Sequence, residues 1–224
     1  WLMEEIKYRR EDEMKDSGIE WLGKIPKEWI ELSLNRVLRS PIVDGPHETP
    51  EYVEQGIPFI SVDSLNEGEH VNLDIVNRFI TKEKYNEYNK KTRLTVGDIL
   101  FSKSATIGKT AIVDERIYMT WSPLAIIKPD YKNINNKLLY YIVSSNRFID
   151  HVKSYSNLNT QLNIGMKTLE KSRIAISKSL LEQQKIANFL DYKTSQFDSI
   201  ISKKEELIEK LEEAKKSLIS EVVT

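Results

Sequence analysis

The chain has 224 residues, 40% of them hydrophobic and 30% charged, enough to bury a real core and consistent with one medium domain plus an appendage. The lack of cysteine excludes disulfides and thiolate metal sites, His47, His70 and His151 lie too far apart for a zinc pair, and no apolar run nears ~18 residues, so a cytoplasmic protein without a membrane span is expected. The net charge of −1 conceals an asymmetry: residues 1–81 carry 9 Lys/Arg against 17 Asp/Glu, and residues 82–181 carry 17 against 8. The two segments can neutralise each other in the fold, or the second can offer a basic face to a polyanion.

In chain order, residues 1–16 read as a charged helical segment. "GIEWLGKIPKEWIEL" follows without a clean apolar period, which predicts an extended segment pinned to a core by Trp21, Leu22, Ile25, Trp29 and Leu32. Strand signals recur in "IPFISV" (57–62), "VNLDIV" (71–76), "GDILFS" (97–102), "TAIV" (110–113) and "MTWSPLAIIK" (119–128), each bounded by turn formers. Thr81 is placed to cap a helix over "KEKYNEYNKK", and a second helix is expected from about Asn135 to Tyr155. "RIAIS" (173–177) alternates like a closing strand. Strands and helices without regular βαβ alternation predict an α+β domain, with mixed or antiparallel strands, over residues 17–178.

Residues 179–224 differ in kind. From Leu180 to Val222 there is no Gly or Pro, and Phe197, Ile201, Ile208, Leu211, Leu218 and Val222 recur at 3–4 spacing, interrupted by Lys204 and Lys215. A helix of this length extends ~60 Å, so its apolar stripe calls for another helix to pack against, from this chain, a second copy or a partner.

Chemistry is sparse. Gly108-Lys109-Thr110 resembles the end of a phosphate-binding loop, but the first glycine of that pattern would fall on Lys103, and "TAIV" reads as a strand where a helix should start. An NTPase there is the least favoured alternative. A metal-dependent nuclease would need Pro129-Asp130 beside a Glu-x-Lys, and the best such triplet, Glu213-Ala214-Lys215, lies on the long helix. Polar residues gather instead in four loops: "VDGPHETP" (43–50), "SKSATIGK" (102–109), "TWSP" (120–123) and "SNLNTQLNIG" (156–165). Asn and Gln suit an adenine edge, and Lys and hydroxyls suit phosphates or guanine acceptors, so this pattern points toward nucleic acid.

At these residues the chain resembles the specificity subunit of type I restriction-modification enzymes. "DSGIEWLGKIPKEW" is similar to the opening of that family's target recognition domain. "IPFISVDSL", "GDILFSKSATIGKTAIV" and "TQLNIG" are similar to its successive blocks, and "LLEQQKIANFLDYKTSQFDSIISKKEELIEKLEEAKKSLISEVV" to the helical region after it. The resemblance implies a non-catalytic chain that reads half of a bipartite site in double-stranded DNA. A modification subunit would supply S-adenosylmethionine-dependent adenine methylation, and a restriction subunit ATP- and Mg-dependent translocation and cleavage. The chain carries one recognition domain and one helical region where the family usually has two of each, so it resembles half a subunit, either a truncated piece or a natural half that forms a homodimer through Phe197, Ile201, Ile208, Leu211 and Leu218. The junction "ISKSLLEQ" lacks the proline-rich run often found there, implying a looser hinge. Candidate DNA contacts are Lys103, Ser104, Thr106 and Lys109; Thr160, Gln161 and Asn163; His47, Glu48 and Thr49; and Trp121 and Ser122. A coiled-coil adaptor without DNA readout is the main competing expectation.

Overall fold

The computed structural model describes residues 9–65, 68–155 and 163–223. The chain divides into two units, Trp1–Gln184 and Lys185–Thr224.

The first unit is α+β. Its centre is a four-stranded antiparallel sheet in the order β4 (Val43–Asp44), β10 (Leu124–Ile127), β7 (Ile99–Ser102), β8 (Thr110–Ile112). β7 and β10 are buried along their whole length, which explains why each reads as an unbroken apolar run rather than an alternation. Leu100, Leu124 and Ile126 pack with Ile60, Leu65, Val71 and Tyr118. Phe101 of β7 meets Phe148 edge-on at 6.4 Å. Each such side chain, taken out of water, contributes roughly 1.5–3 kcal/mol before entropy is charged against it.

A second sheet joins β6 (Phe79–Ile80), β5 (Ile57–Ile60) and β9 (Met119–Thr120), with β5 and β9 parallel. Behind it sits α1 (Lys82–Thr92), capped as its sequence predicts: the Thr81 hydroxyl accepts the Lys84 N–H. β9 and β10 come from one apolar stretch, broken where Trp121–Pro123 turns away from the first strand. Two further pairs complete the unit, β1 (Met14–Asp16) with β2 (Lys24–Pro26), and β3 (Ile30–Ser33) with β11 (Arg173–Ile176).

Three expectations need correction. Residues 1–8 lie outside the described residues, but the rest of the expected N-terminal helix is a 3-10 turn (Glu11–Glu13) followed by strand β1. Pairing with β2 satisfies backbone groups that a short charged helix would leave to water. "VNLDIV" is not a strand: the Asn72 side chain accepts the Asp74 N–H and Val76 N–H bonds Leu73, so the segment turns while Val71 stays in the core. The helix expected over 135–155 is two, α2 (Asn136–Ser144) and α3 (Asn146–Ser154), separated by Ser145. Ser145 has an extended backbone (ψ 139°), and its hydroxyl accepts the Phe148 N–H to start the second helix. The short α4 (Met166–Lys171) precedes β11.

The junction expected to be loose is closely bonded within the first unit. Ser177 Oγ donates to Glu182 (2.5 Å), Ser179 Oγ accepts the Glu182 N–H, and Gln183 is wholly buried. Its amide donates to the carbonyls of Ser177 (2.8 Å) and Asn133 (3.1 Å), and its oxygen accepts the Asn135 N–H (2.8 Å). Glu182 also accepts from Arg9 and from the Trp29 indole. Burial opposes ionisation of Glu182, but the bonds from Ser177, Trp29 and Arg9 outweigh it and hold its pKa below the usual carboxylate range.

The second unit is the body of α5 (Leu180–Val223), one uninterrupted helix. Phe197, Ile201, Ile208, Leu211 and Leu218 are all exposed on it. Ile200 and Leu207 are exposed as well, so the stripe is wider than a strict two-position seam.

Candidate nucleic-acid interface

The polar loops converge. Gly45 makes the first approach possible: a Cβ there would lie 2.2 Å from the Thr120 carbonyl oxygen, so any side chain would push loop 43–50 off the 120–123 turn. Ser122 N–H then bonds the Pro46 carbonyl (3.1 Å), and its hydroxyl meets His47 Nδ1 (2.8 Å). The other ring nitrogen of His47 lies 3.2 Å from Asp44. On the far side of the turn, Lys103 N–H bonds the Pro123 carbonyl (2.9 Å). Ile164 N–H bonds the Lys103 carbonyl (2.8 Å), and Ser104 bridges to Asn163. Segments far apart in sequence thus form one polar face.

The hairpin between β7 and β8 is shaped by Ser102, whose buried hydroxyl donates to the Thr106 carbonyl and accepts the Lys109 N–H. Gly108 adopts φ +100°, and a Cβ would meet Ile149 at 2.7 Å. Strand β8 begins directly after Lys109. There is no helix N-terminus to hold a phosphate, so the NTPase alternative at Gly108-Lys109-Thr110 loses its structural basis. Asp130 of the nuclease alternative is a turn former, its carboxylate accepting from the Lys132 N–H and the Asn133 side chain.

Besides the His47–Ser122 pair, two more of the expected contact residues are engaged within the fold. The Lys103 ammonium lies 3.3 Å from Asp44 with both side chains only 11% exposed, which ties β4 to the hairpin. Glu48 accepts from Lys84 and from the Tyr88 hydroxyl, both at 2.9 Å. The Lys84 bond first, then the Tyr88 bond, lowers the Glu48 pKa; burial and that same bond push Tyr88 up to about 12. Glu48 therefore fastens its loop to α1. His47, Thr49, Thr106 and Asn163 are exposed, Ser104, Lys109, Trp121 and Ser122 partly so. Thr160 and Gln161 lie outside the described residues.

Between loop 43–48 and α1 runs a cleft of about 520 Å³ that Lys91 and Thr92 also line. It adjoins a second, of about 550 Å³, bordered by Arg39, Lys90, Lys91, Arg93 and Lys128. Lys90, Lys91 and Arg93 are exposed, and their side chains have no hydrogen bond or ion pair among the described residues. Sequence reasoning missed them because they close an ordinary charged helix. Glu87 stands at the right spacing to pair with Lys91, yet it bonds Lys84 instead (3.1 Å).

Against this geometry the family match decides the matter: the model of the type I restriction modification DNA specificity domain covers residues 46–213. The chain belongs to that family. A Methanocaldococcus jannaschii protein described as the MjaX type I restriction enzyme specificity subunit is 26% identical over 98% of this chain and 50% of its own length. Among solved structures, a chain from a study of complex assembly and conformational transition in a type I R-M system matches with TM-score 0.60 and 18% identity, over 85% of this chain and 43% of that one. The HsdS subunit from Thermoanaerobacter tengcongensis matches with TM-score 0.57 and 18% identity, over 84% and 42%. These structural likenesses are of fold. The specificity domain spans about half the length of the relatives it matches. The α+β class with a long C-terminal helix agrees with the sequence expectation.

Proposed function

We propose that this chain is a DNA-reading specificity module of a type I restriction-modification enzyme. It reads one half of an interrupted double-stranded site and directs adenine methylation and cleavage performed by partner subunits. The observation that carries this is the convergence of loops 43–50, 103–109 and 120–123 with Asn163 on one face, bordered by the unpaired cations of α1, in a chain of this family. In this reading His47, Thr49, Thr106, Lys109, Ser122 and Asn163 meet base edges or backbone. Lys103 and Glu48 act by holding those loops in position. Lys90, Lys91 and Arg93 supply sequence-independent attraction to phosphates. S-adenosylmethionine, ATP and Mg belong to the modification and restriction subunits.

The exposed stripe on α5 supports a homodimer through Phe197, Ile201, Ile208, Leu211 and Leu218, which would present two identical readers to a palindromic interrupted site. The test is co-expression with the modification subunit in a methylation-free host and mapping of N6-methyladenine by long-read sequencing. A discrete interrupted motif is expected, with identical half-sites if two copies of this chain read it. A complex that forms and methylates nothing would favour the adaptor role instead.

A further inference from the structure

Resting on that DNA-reading role, we infer that Arg78 is a specificity-determining residue that reads a guanine through the paired donors of its guanidinium. Its backbone is fixed, because the Arg78 carbonyl accepts the Phe59 N–H (2.9 Å) at the edge of the β5–β6 pair. Its guanidinium carbon lies 5.7 Å from the centre of the Tyr52 ring and 5.9 Å from that of Trp121. Both rings are held in turn by Phe59, at 6.2 and 6.4 Å. Ring faces attract the cation without consuming its in-plane N–H groups. Arg78 is exposed, and among the described residues it has no hydrogen bond or ion pair from its side chain.

Three other arginines of the unit are spent, Arg39 on Asp98, Arg116 on Asp114 and the Val71 carbonyl, and Arg9 on Glu182; Arg93 is exposed and unpaired among the described residues, but no ring contact orients it there. Arg78 differs in being oriented and unsatisfied at once. A planar fork held in this way matches two acceptors side by side, as the O6 and N7 of guanine offer in the major groove. Phosphate oxygens can also accept such a fork, but the exposed ammonium groups of Lys90 and Lys91 are sufficient for them, and a phosphate contact would carry no base preference. Arg78 also stands where bases would pass, since the Trp121 it touches is followed by Ser122, which holds His47.

The test compares wild type, Arg78→Ala and Arg78→Lys in the complex with the modification subunit, by methylation mapping and by competition binding to duplexes carrying the mapped site or single-base changes of it. Arg78→Ala is expected to relax one guanine position to several bases, with roughly 10- to 100-fold less discrimination there, while the other positions stay fixed. Arg78→Lys keeps the charge without the fork and is expected to lose the same discrimination with affinity for unrelated DNA retained. Equal weakening on every sequence would make Arg78 a phosphate contact and overturn the inference. So would an unchanged motif, or a wild-type half-site without guanine. A wild-type complex that forms but shows no motif at all would bring down the DNA-reading role itself, a result distinct from any of these.

Discussion

Two sets of cations border the same cleft and have opposite fates. Arg39 and Lys128 converge on Asp98, whose side chain has no exposure to solvent, and the Lys128 ammonium lies 3.2 Å from it. Burial lowers the Lys128 pKa, and the Asp98 charge works against that fall; the ammonium is also anchored on the Arg93 carbonyl (2.6 Å). Lys90, Lys91 and Arg93, beside them, pair with nothing among the described residues. Residue type does not separate the two sets. A buried charge must be compensated within the fold, whereas an exposed one can be left for a partner at little cost to stability. Pairing state therefore sorts the cations of this cleft into those that hold the fold and those left exposed.

The strongest way to break this comparison is to remove the shared carboxylate. Asp98→Ala leaves two partly buried cations uncompensated and should cost about 3–5 kcal/mol, read as a lower urea midpoint at unchanged slope. A loss below ~1 kcal/mol would show that the centre is not a structural charge cluster and remove one side of the contrast. Next in size is Gln183→Ala, which strands two carbonyls and one N–H inside the first unit. About 2–3 kcal/mol is expected, measured in the same way.

Glu182 gives a smaller, pH-dependent effect. Its folded pKa is depressed, so its stabilising contribution is complete above the unfolded carboxylate value (~4.3) and is lost as pH falls through the lower folded value. Glu182→Gln should lower stability by about 1 kcal/mol near neutrality, with the gap to wild type closing on acidification. Melting temperatures of both proteins from neutral pH down to the carboxylate range would show it. A gap that stays constant would mean the carboxylate charge is not what the Ser177, Trp29 and Arg9 bonds stabilise.

How far the sequence foretells this arrangement depends on the range over which each signal acts. β7, β10 and β11 are legible because each is a short apolar run with turn formers on both sides, and α1 because Thr81 caps it locally. The turn at Asn72 and the break at Ser145 escape detection, since in both a single side-chain bond to backbone overrides an apolar period. At the candidate interface the polar character of the loops is readable, but the fate of each side chain is not. Lys103 looks like a phosphate contact until β4 brings Asp44 beside it, and Glu48 looks free until α1 supplies Lys84 and Tyr88. Arg78 carries no local signal, because its surroundings come from Tyr52 and Trp121 on other segments.

The finest test of the comparison sets Lys103 against the free cations. Lys103→Ala breaks a nearly buried pair with Asp44 and should lower stability by about 1 kcal/mol. The triple change of Lys90, Lys91 and Arg93 to alanine should leave stability nearly untouched, within about 0.5 kcal/mol per site. DNA binding by the complex should show the reverse order. Removing the three exposed cations should weaken binding to all sequences alike and flatten the dependence of log affinity on log salt by up to ~0.9 for each phosphate no longer neutralised. Lys103→Ala should leave that slope unchanged while disturbing the motif, because its effect runs through loops 43–50 and 103–109 rather than through charge neutralisation. If the triple variant destabilises the fold, or Lys103→Ala alters the salt slope, then pairing state is not what divides these cations, and the phosphate-binding edge must be sought away from the end of α1.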